Sequence, residues 1–327
     1  MTTALSGPDY VREELLRRLR DPDPRERQVA LTELSDSVDQ DAVEPLLVSL
    51  QDPDPVVRRL AVELLEEVGD ARAIAGLVEL LLDPDATVQG AARAALREFR
   101  GAEAATALIA AIGHADPKVR SSVIVGLREI KDARSARPLI EALCDLDGGV
   151  RREAVITLGY LRLPDAVDAL RTRLSDPEES VRRVAVGALS FFTGPALLQD
   201  FLSSLADPAW QVRREAAIVL GRTALSGAIP GLRAALADEY WQVQKVAAES
   251  LGRLHAAAAV PDLIELLSSD NADLRRAAAG ALGEIRASRA VSRLRALSDD
   301  PDVEVRKAAV RALEAIGRSS ESTSEEN

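Results

Sequence analysis

Along residues 11–318 the apolar side chains do not alternate. They recur at steps of three and four, interrupted by short polar stretches. Over residues 52–81, Val57, Ala61, Leu65 and Val68 fall on one side of a helix, and Ala73, Leu77, Leu80 and Leu81 form a second, shorter stripe. Asp52 reads as a helix N-cap, Pro53 as the first helical residue, and Gly69-Asp70 as the turn between stripes. The pattern predicts two helices of roughly ten to fifteen residues joined by tight turns.

That unit returns along the whole chain. An anchor Asp-Pro-x-x-x-Val-Arg, as in DPDPVVR at 52–58 and DPAWQVR at 207–213, begins at 21, 52, 83, 114, 145, 176, 207, 238, 269 and 300, every step 31 residues. Counting the anchor Asp as position 1, position 14 is leucine in every copy, from Leu34 to Leu313. Position 10 is alanine in every copy except one, where it is Val123. A small residue at that depth lets facing helices approach to about 8–10 Å. A single hairpin cannot hide its own stripe, so the copies must stack. The expected fold is all-α, a right-handed α-solenoid of about ten 31-residue helical hairpins over 11–318. A flexible N-terminus over 1–10 and a disordered acidic tail over 319–327 flank it.

With its D-P-x-x-x-V-R anchor, alanine and leucine columns, and stretches such as VGDARAI at 68–74 and IKDARSA at 130–136, the chain resembles the HEAT-repeat superfamily. The closest form is the short, phycobilisome-lyase-type HEAT-like repeat. The resemblance covers nearly the whole chain. It implies that the anchor Asp and the Arg six residues on form a ladder from copy to copy, with a structural role. Asp departs to His114 and Ser269, and Arg to Gln89 and Gln244. The resemblance also implies that the second helices line a concave groove.

Composition narrows the function classes. Aromatic residues are 3% of the chain, which suits close-packed helices better than a β-sandwich. The net charge of −12 disfavours wholesale binding to nucleic acid or an anionic membrane. A single cysteine, Cys144, excludes an internal disulfide and a cysteine-built metal cage, and fits a cytoplasmic setting. No apolar stretch is long enough to span a bilayer, and the first residues carry no secretory signal.

The residues of chemistry are sparse. His114 and His255 are the only histidines, and no His-Glu dipeptide occurs, unlike the iron-binding hydroxylases built on similar repeats. Phosphate-binding loops and nucleophile elbows are missing. Cys144 reads as a small buried hydrophobe. Neither a catalytic residue, a metal site nor a cofactor is assigned. Two joints depart from the pattern: Gly148-Gly149, where two glycines should weaken a first helical turn, and Phe191-Phe192-Thr193-Gly194-Pro195, which replaces the usual Gly-Asp turn.

The exposed columns carry the functional signal. Positions 6, 10, 14 and 17 should form the core, and positions 4, 8, 12 and 16 should face away from it. Position 8 turns basic in the later copies, with Arg183, Arg214 and Lys245. Position 16 changes from Glu67, Glu98 and Glu129 to Tyr160, Phe191, Arg222 and Arg253. Residues 1–150 hold 28 acids and 18 bases, residues 151–318 hold 22 and 23. Seven of the nine aromatic residues lie between 160 and 241, and Trp210 and Trp241 both occupy position 4 with Cα atoms about 10 Å apart. Phe192 and Phe201 fall in core columns. Two readings of the exposed rings stand: an interface, or half-buried packing over the neighbouring copy.

The first expectation is therefore a non-catalytic scaffold that binds another protein or peptide segment, one with acidic and apolar groups. It would do so in the groove through Tyr160, Arg183, Phe191, Trp210, Arg214, Arg222, Trp241, Lys245 and Arg253. A second reading, from the resemblance alone, is a bilin or tetrapyrrole lyase or chaperone-type subunit. A lesser one is nucleic-acid binding through the basic stretch, which the overall charge opposes.

Overall fold

The computed structural model describes residues 8–35, 38–192, 194–223 and 225–325. Among these the chain is helical, with no strand. It divides into two units, residues 1–166 and 167–327. Unit 1 holds α1 (Pro8–Arg18), α2 (Pro24–Leu34), α3 (Val43–Ser49), α4 (Pro55–Val68), α5 (Ala73–Glu79), α6 (Ala86–Ala95), α7 (Gly101–Ala111), α8 (Pro117–Ile130), α9 (Ala136–Ala142) and α10 (Gly148–Leu161). Unit 2 holds α11 (Val167–Thr172), α12 (Glu179–Leu189), α13 (Leu198–Ser204), α14 (Trp210–Leu220), α15 (Ile229–Ala235), α16 (Trp241–Arg253), α17 (Val260–Leu266), α18 (Ala272–Ile285), α19 (Val291–Ala296) and α20 (Val303–Glu325). In each unit short first helices alternate with longer second helices that pack against one another.

Every second helix starts at repeat position 4, two residues later than the sequence suggests. The N-cap of α4 is Asp54, whose carboxylate accepts from the N–H groups of Val56 and Val57, and Pro55 is its first residue. Asp52 has a different task. Its carboxylate accepts the N–H of Asp54 at 2.9 Å and both the Nε and Nη2 groups of Arg27 at 2.7 Å. Two Asp-Pro pairs stand in succession there, and the correct one is fixed by a contact 25 residues away. The two glycines at 148–149 do not shorten α10, because Asp147 caps it through the N–H of Val150.

The core columns hold. Position 10 is fully buried from Ala30 to Ala309, as is position 14 from Leu34 to Leu282. Leu313, in the last copy, is half-exposed. Position 11 is buried in eight copies, as in Leu31, Val62, Ile124 and Val186, but exposed at Arg93 and Val310. Position 17 is only partly buried in most copies, Phe99 and Ile316 excepted.

The Asp–Arg ladder is present within both units. Unit 1 has Arg27–Asp52, Arg58–Asp83 and Arg120–Asp145; unit 2 has Arg182–Asp207, Arg213–Asp238 and Arg275–Asp300. All are two-pronged, with an Nε···O distance of 2.7–2.8 Å. Each Arg also donates to the anchor carbonyl of its own copy, as Arg58 does to Asp52. The four departures noted in the sequence turn out to be two missing rungs. Gln89 keeps the bond to the carbonyl of Asp83, and the position it would reach is His114, whose Nδ1 accepts the N–H of Asp116 at 3.0 Å. Gln244 and Ser269 repeat this arrangement, with Ser269 Oγ accepting from the N–H of Asn271. Both charges of a rung are lost together, so no ion is left buried without its partner, which would cost several kcal/mol.

Residues 1–7 of the N-terminus expected to be flexible lie outside the described residues, and α1 begins at Pro8. The acidic tail is described as helical backbone as far as Glu325, with residues 326–327 outside.

Candidate functional site

Five second helices close with a left-handed residue at position 18: Gly69, Lys131, Arg162, His255 and Arg286. Four of these are not glycine, at a cost of roughly 1–2 kcal/mol each. All four have cationic or basic side chains placed at the negative end of a helix, where charge offsets part of that strain.

In unit 2 the exposed side of the second helices is basic. Arg183, Arg214 and Arg222 are exposed and form no ion pair among the described residues. Lys245 lies 3.6 Å from Asp273, and Arg253 lies 3.7 Å from Glu249. In unit 1 the matching face is acidic or self-neutralised. Arg59 pairs with Glu63, and Glu66 is pushed above its usual range by partial burial, then by the charges of Glu98 and Glu63.

The nine expected site residues do not form one patch. Twelve residues of helix, roughly 18 Å, separate position 4 from position 16. At the N-terminal edge of the second helices, Trp210 does not pair with Trp241. It stacks on Tyr240 with ring centroids 5.7 Å apart and an interplanar angle of 17°, and packs against the buried cluster of Ala235, Val243 and Ala247. Arg213, a ladder residue, lies over the Tyr240 ring at 5.5 Å. Trp210 is therefore half-buried packing, while Trp241 remains 39% exposed. One feature of the sequence marks this edge. Position 3 is the capping Asp in all five copies of unit 1, but Glu178, Ala209 and Tyr240 in three consecutive copies of unit 2, none with a side-chain cap bond.

At the opposite edge, Phe191 and Arg222 come together. They line a cavity of about 350 Å³ with Phe192, Phe201, Val219 and Leu225. Phe201 is buried, as expected, whereas Phe192 is half-buried on the cavity wall. Thr193 lies outside the described residues. Tyr160 belongs to unit 1, where it is half-exposed with Lys131 Nζ 5.1 Å from its ring centroid. A third feature is a basin of about 530 Å³ on α18 and α20. Small residues, Gly280, Gly283, Ala308 and Ala312, line it together with His255, Arg276, Arg286 and Arg311, and the carboxylates of Glu284 and Glu304. His255 Nδ1 is 2.9 Å from the carbonyl of Glu284. A carbonyl only accepts, so Nδ1 carries the proton.

Cys144 is exposed beyond the C-terminal end of α9, not buried as its apolar neighbours suggested; the short helix ends before it. Among the described residues no group of His, Cys, Asp and Glu could hold a metal ion, and no helix is long and apolar enough to cross a membrane.

A sequence profile for HEAT repeats matches residues 12–97, 83–147, 136–221, 198–279 and 260–324. The chain is a helical-repeat protein of the α-solenoid class. It belongs to the HEAT-repeat family. No curated protein matches it. Among solved structures, a mutant of Kap121p is similar with a TM-score of 0.72 and 14% identity over 97% of this chain and 42% of that one. Kap95p, solved with RanGDP, gives 0.65 and 14% over 95% and 50%. The YibA protein of E. coli gives 0.52 and 16% over 97% and 100%. At these identities the likeness is one of fold.

Proposed function

We propose that the chain is a protein-interaction scaffold and that unit 2 is its recognition surface, taking a partner segment with acidic and apolar groups. The observation that carries this reading is the trio of Arg183 on α12, Arg214 on α14 and Arg222 just past the end of α14, all exposed without carboxylate partners among the described residues, in the unit that also exposes Phe191 and Trp241. Guanidinium groups left without counterions bind carboxylates in two-pronged fashion, and exposed rings beside them supply apolar area. Three successive helix caps in the same unit have given up a stabilising Asp, worth about 1 kcal/mol each. The solved structure of Kap95p with RanGDP supports the reading in general form, since there the same fold holds another protein.

The test is affinity capture from the native host with the wild-type chain, with Arg183→Glu/Arg214→Glu, and with Glu67→Lys/Glu98→Lys in unit 1 as control. Loss of captured proteins only with the arginine variant is expected. An identical set for all three overturns the reading.

A further inference from the structure

The cavity beside the Phe191–Pro195 turn differs from the basin on α18 and α20 in its lining. Phe191, Phe192, Phe201, Val219 and Leu225 make its wall apolar, and Arg222 is its one charged side chain. At about 350 Å³ it falls within the size range of ligand sites, about 300–1,000 Å³. The guanidinium of Arg222 is exposed and has no carboxylate partner among the described residues. An apolar hollow with a single unneutralised cation at its mouth is complementary to an apolar side chain with a carboxylate close by along the same chain.

The next element of the pattern lies one copy on. Arg253 occupies the same repeat position as Arg222, so its Cα is about 8–10 Å away. Extended chain covers that span in about three residues at 3.3–3.6 Å each. Arg253 is tied only to Glu249, at 3.7 Å and on the surface, a pair weak enough for an incoming acid to replace.

We propose that this cavity is an anchor pocket. It seats one large apolar side chain of an extended acidic segment of a partner protein, with one carboxylate on Arg222 and a second, about three residues further on, against Arg253. The proposal rests on the interaction reading above and names the chemistry of its ligand.

The test uses the full chain and a labelled peptide, Gly-Ser-Gly-Phe-Asp-Gly-Ser-Asp-Gly-Ser, with binding read by fluorescence polarisation at low salt. Replacing the peptide's Phe by Ala should weaken binding about tenfold, and replacing both Asp residues by Asn should do the same. Arg222→Glu should weaken it about tenfold and Arg253→Glu by a smaller factor, while Val48→Ala, at an exposed position in unit 1, leaves it unchanged. Arg222 is exposed, so its substitution leaves the fold intact, which a circular dichroism melt verifies. Equal binding of the Phe and Ala peptides, wild-type affinity in Arg222→Glu, or no binding by the parent peptide overturns the proposal. If Arg222→Glu leaves the captured partners unchanged while Arg183→Glu/Arg214→Glu removes them, the pocket is wrong and the scaffold reading stands. If neither variant changes capture, both fail.

Discussion

Both units lose one ladder rung, and they close the joint differently. In unit 1, where Gln89 and His114 replace the pair, α6 packs closely on α4 but hardly on α8. Position 15 of the second to fourth copies carries Glu66, Arg97 and Arg128 rather than glycine. In unit 2, where Gln244 and Ser269 replace the pair, α16 and α18 meet tightly. Position 15 is there Gly221, Gly252 and Gly283, and a Cβ on Gly252 would stand 2.8 Å from the Cα of Ala281. Gly221 meets Ser250 and Gly283 meets Ala312 in the same way, and Ser250 adds a hydrogen bond to the carbonyl of Ala217 at 2.8 Å. The first joint closes just past the end of α6, where a Cβ on Gly126 would stand 2.9 Å from the carbonyl oxygen of Leu96; the second closes along the helices themselves. The ladder and the glycine contacts are thus two fasteners between hairpins: both act at the α14–α16 and α18–α20 joints, and the glycine contact acts alone between α16 and α18.

The largest expected effect separates an intact rung from a missing one. Asp83→Ala leaves Arg58 buried without its partner and should cost about 3–5 kcal/mol. His114→Ala, at the same repeat position one copy on, removes only one acceptor and should cost about 1 kcal/mol. Urea unfolding of the two variants measures the gap, and equal losses would mean that the ladder does not hold the stack.

A second pair of variants probes the glycine fastener. Gly252→Val forces α16 from α18 at a joint with no rung and should cost about 1–3 kcal/mol. Arg97→Ala, at the same repeat position in unit 1, should change stability by less than about 0.5 kcal/mol. Thermal melts that show the reverse order would remove the distinction between the joints.

The smallest effect is a pH dependence. The hydrogen bond from Arg275, working against partial burial, holds the Asp300 carboxyl below its ordinary value of 3.8. In Asp145 and Asp238 burial pushes upward, but the bonds from Arg120 and Arg213 and from backbone N–H groups prevail and lower the value. A depressed carboxylate contributes stability that is fully present above its unfolded value and is lost as pH falls through its folded value. Urea midpoints should therefore stay level from neutral pH to about pH 5 and fall only below about pH 4, in both units alike. A midpoint already falling between pH 7 and pH 5 would show that other groups dominate.

The helical hairpin, its 31-residue period and the columns at positions 10 and 14 are legible in the chain alone. Helix geometry repeats every few residues, and a side chain that must be buried in one copy must be buried in all. Composition also placed the basic and aromatic residues in the later copies, since charge needs no coordinates to be counted. Which Asp of an anchor caps its helix was settled by folding, because the choice depends on an arginine 25 residues away. Packing between hairpins did the rest. It decided too that Trp210 stacks on Tyr240, that Tyr160 keeps company with Lys131, and that Phe191 and Arg222 share a cavity. Those pairings join different hairpins, and a period read along one chain carries no information about which edges of successive copies come into contact.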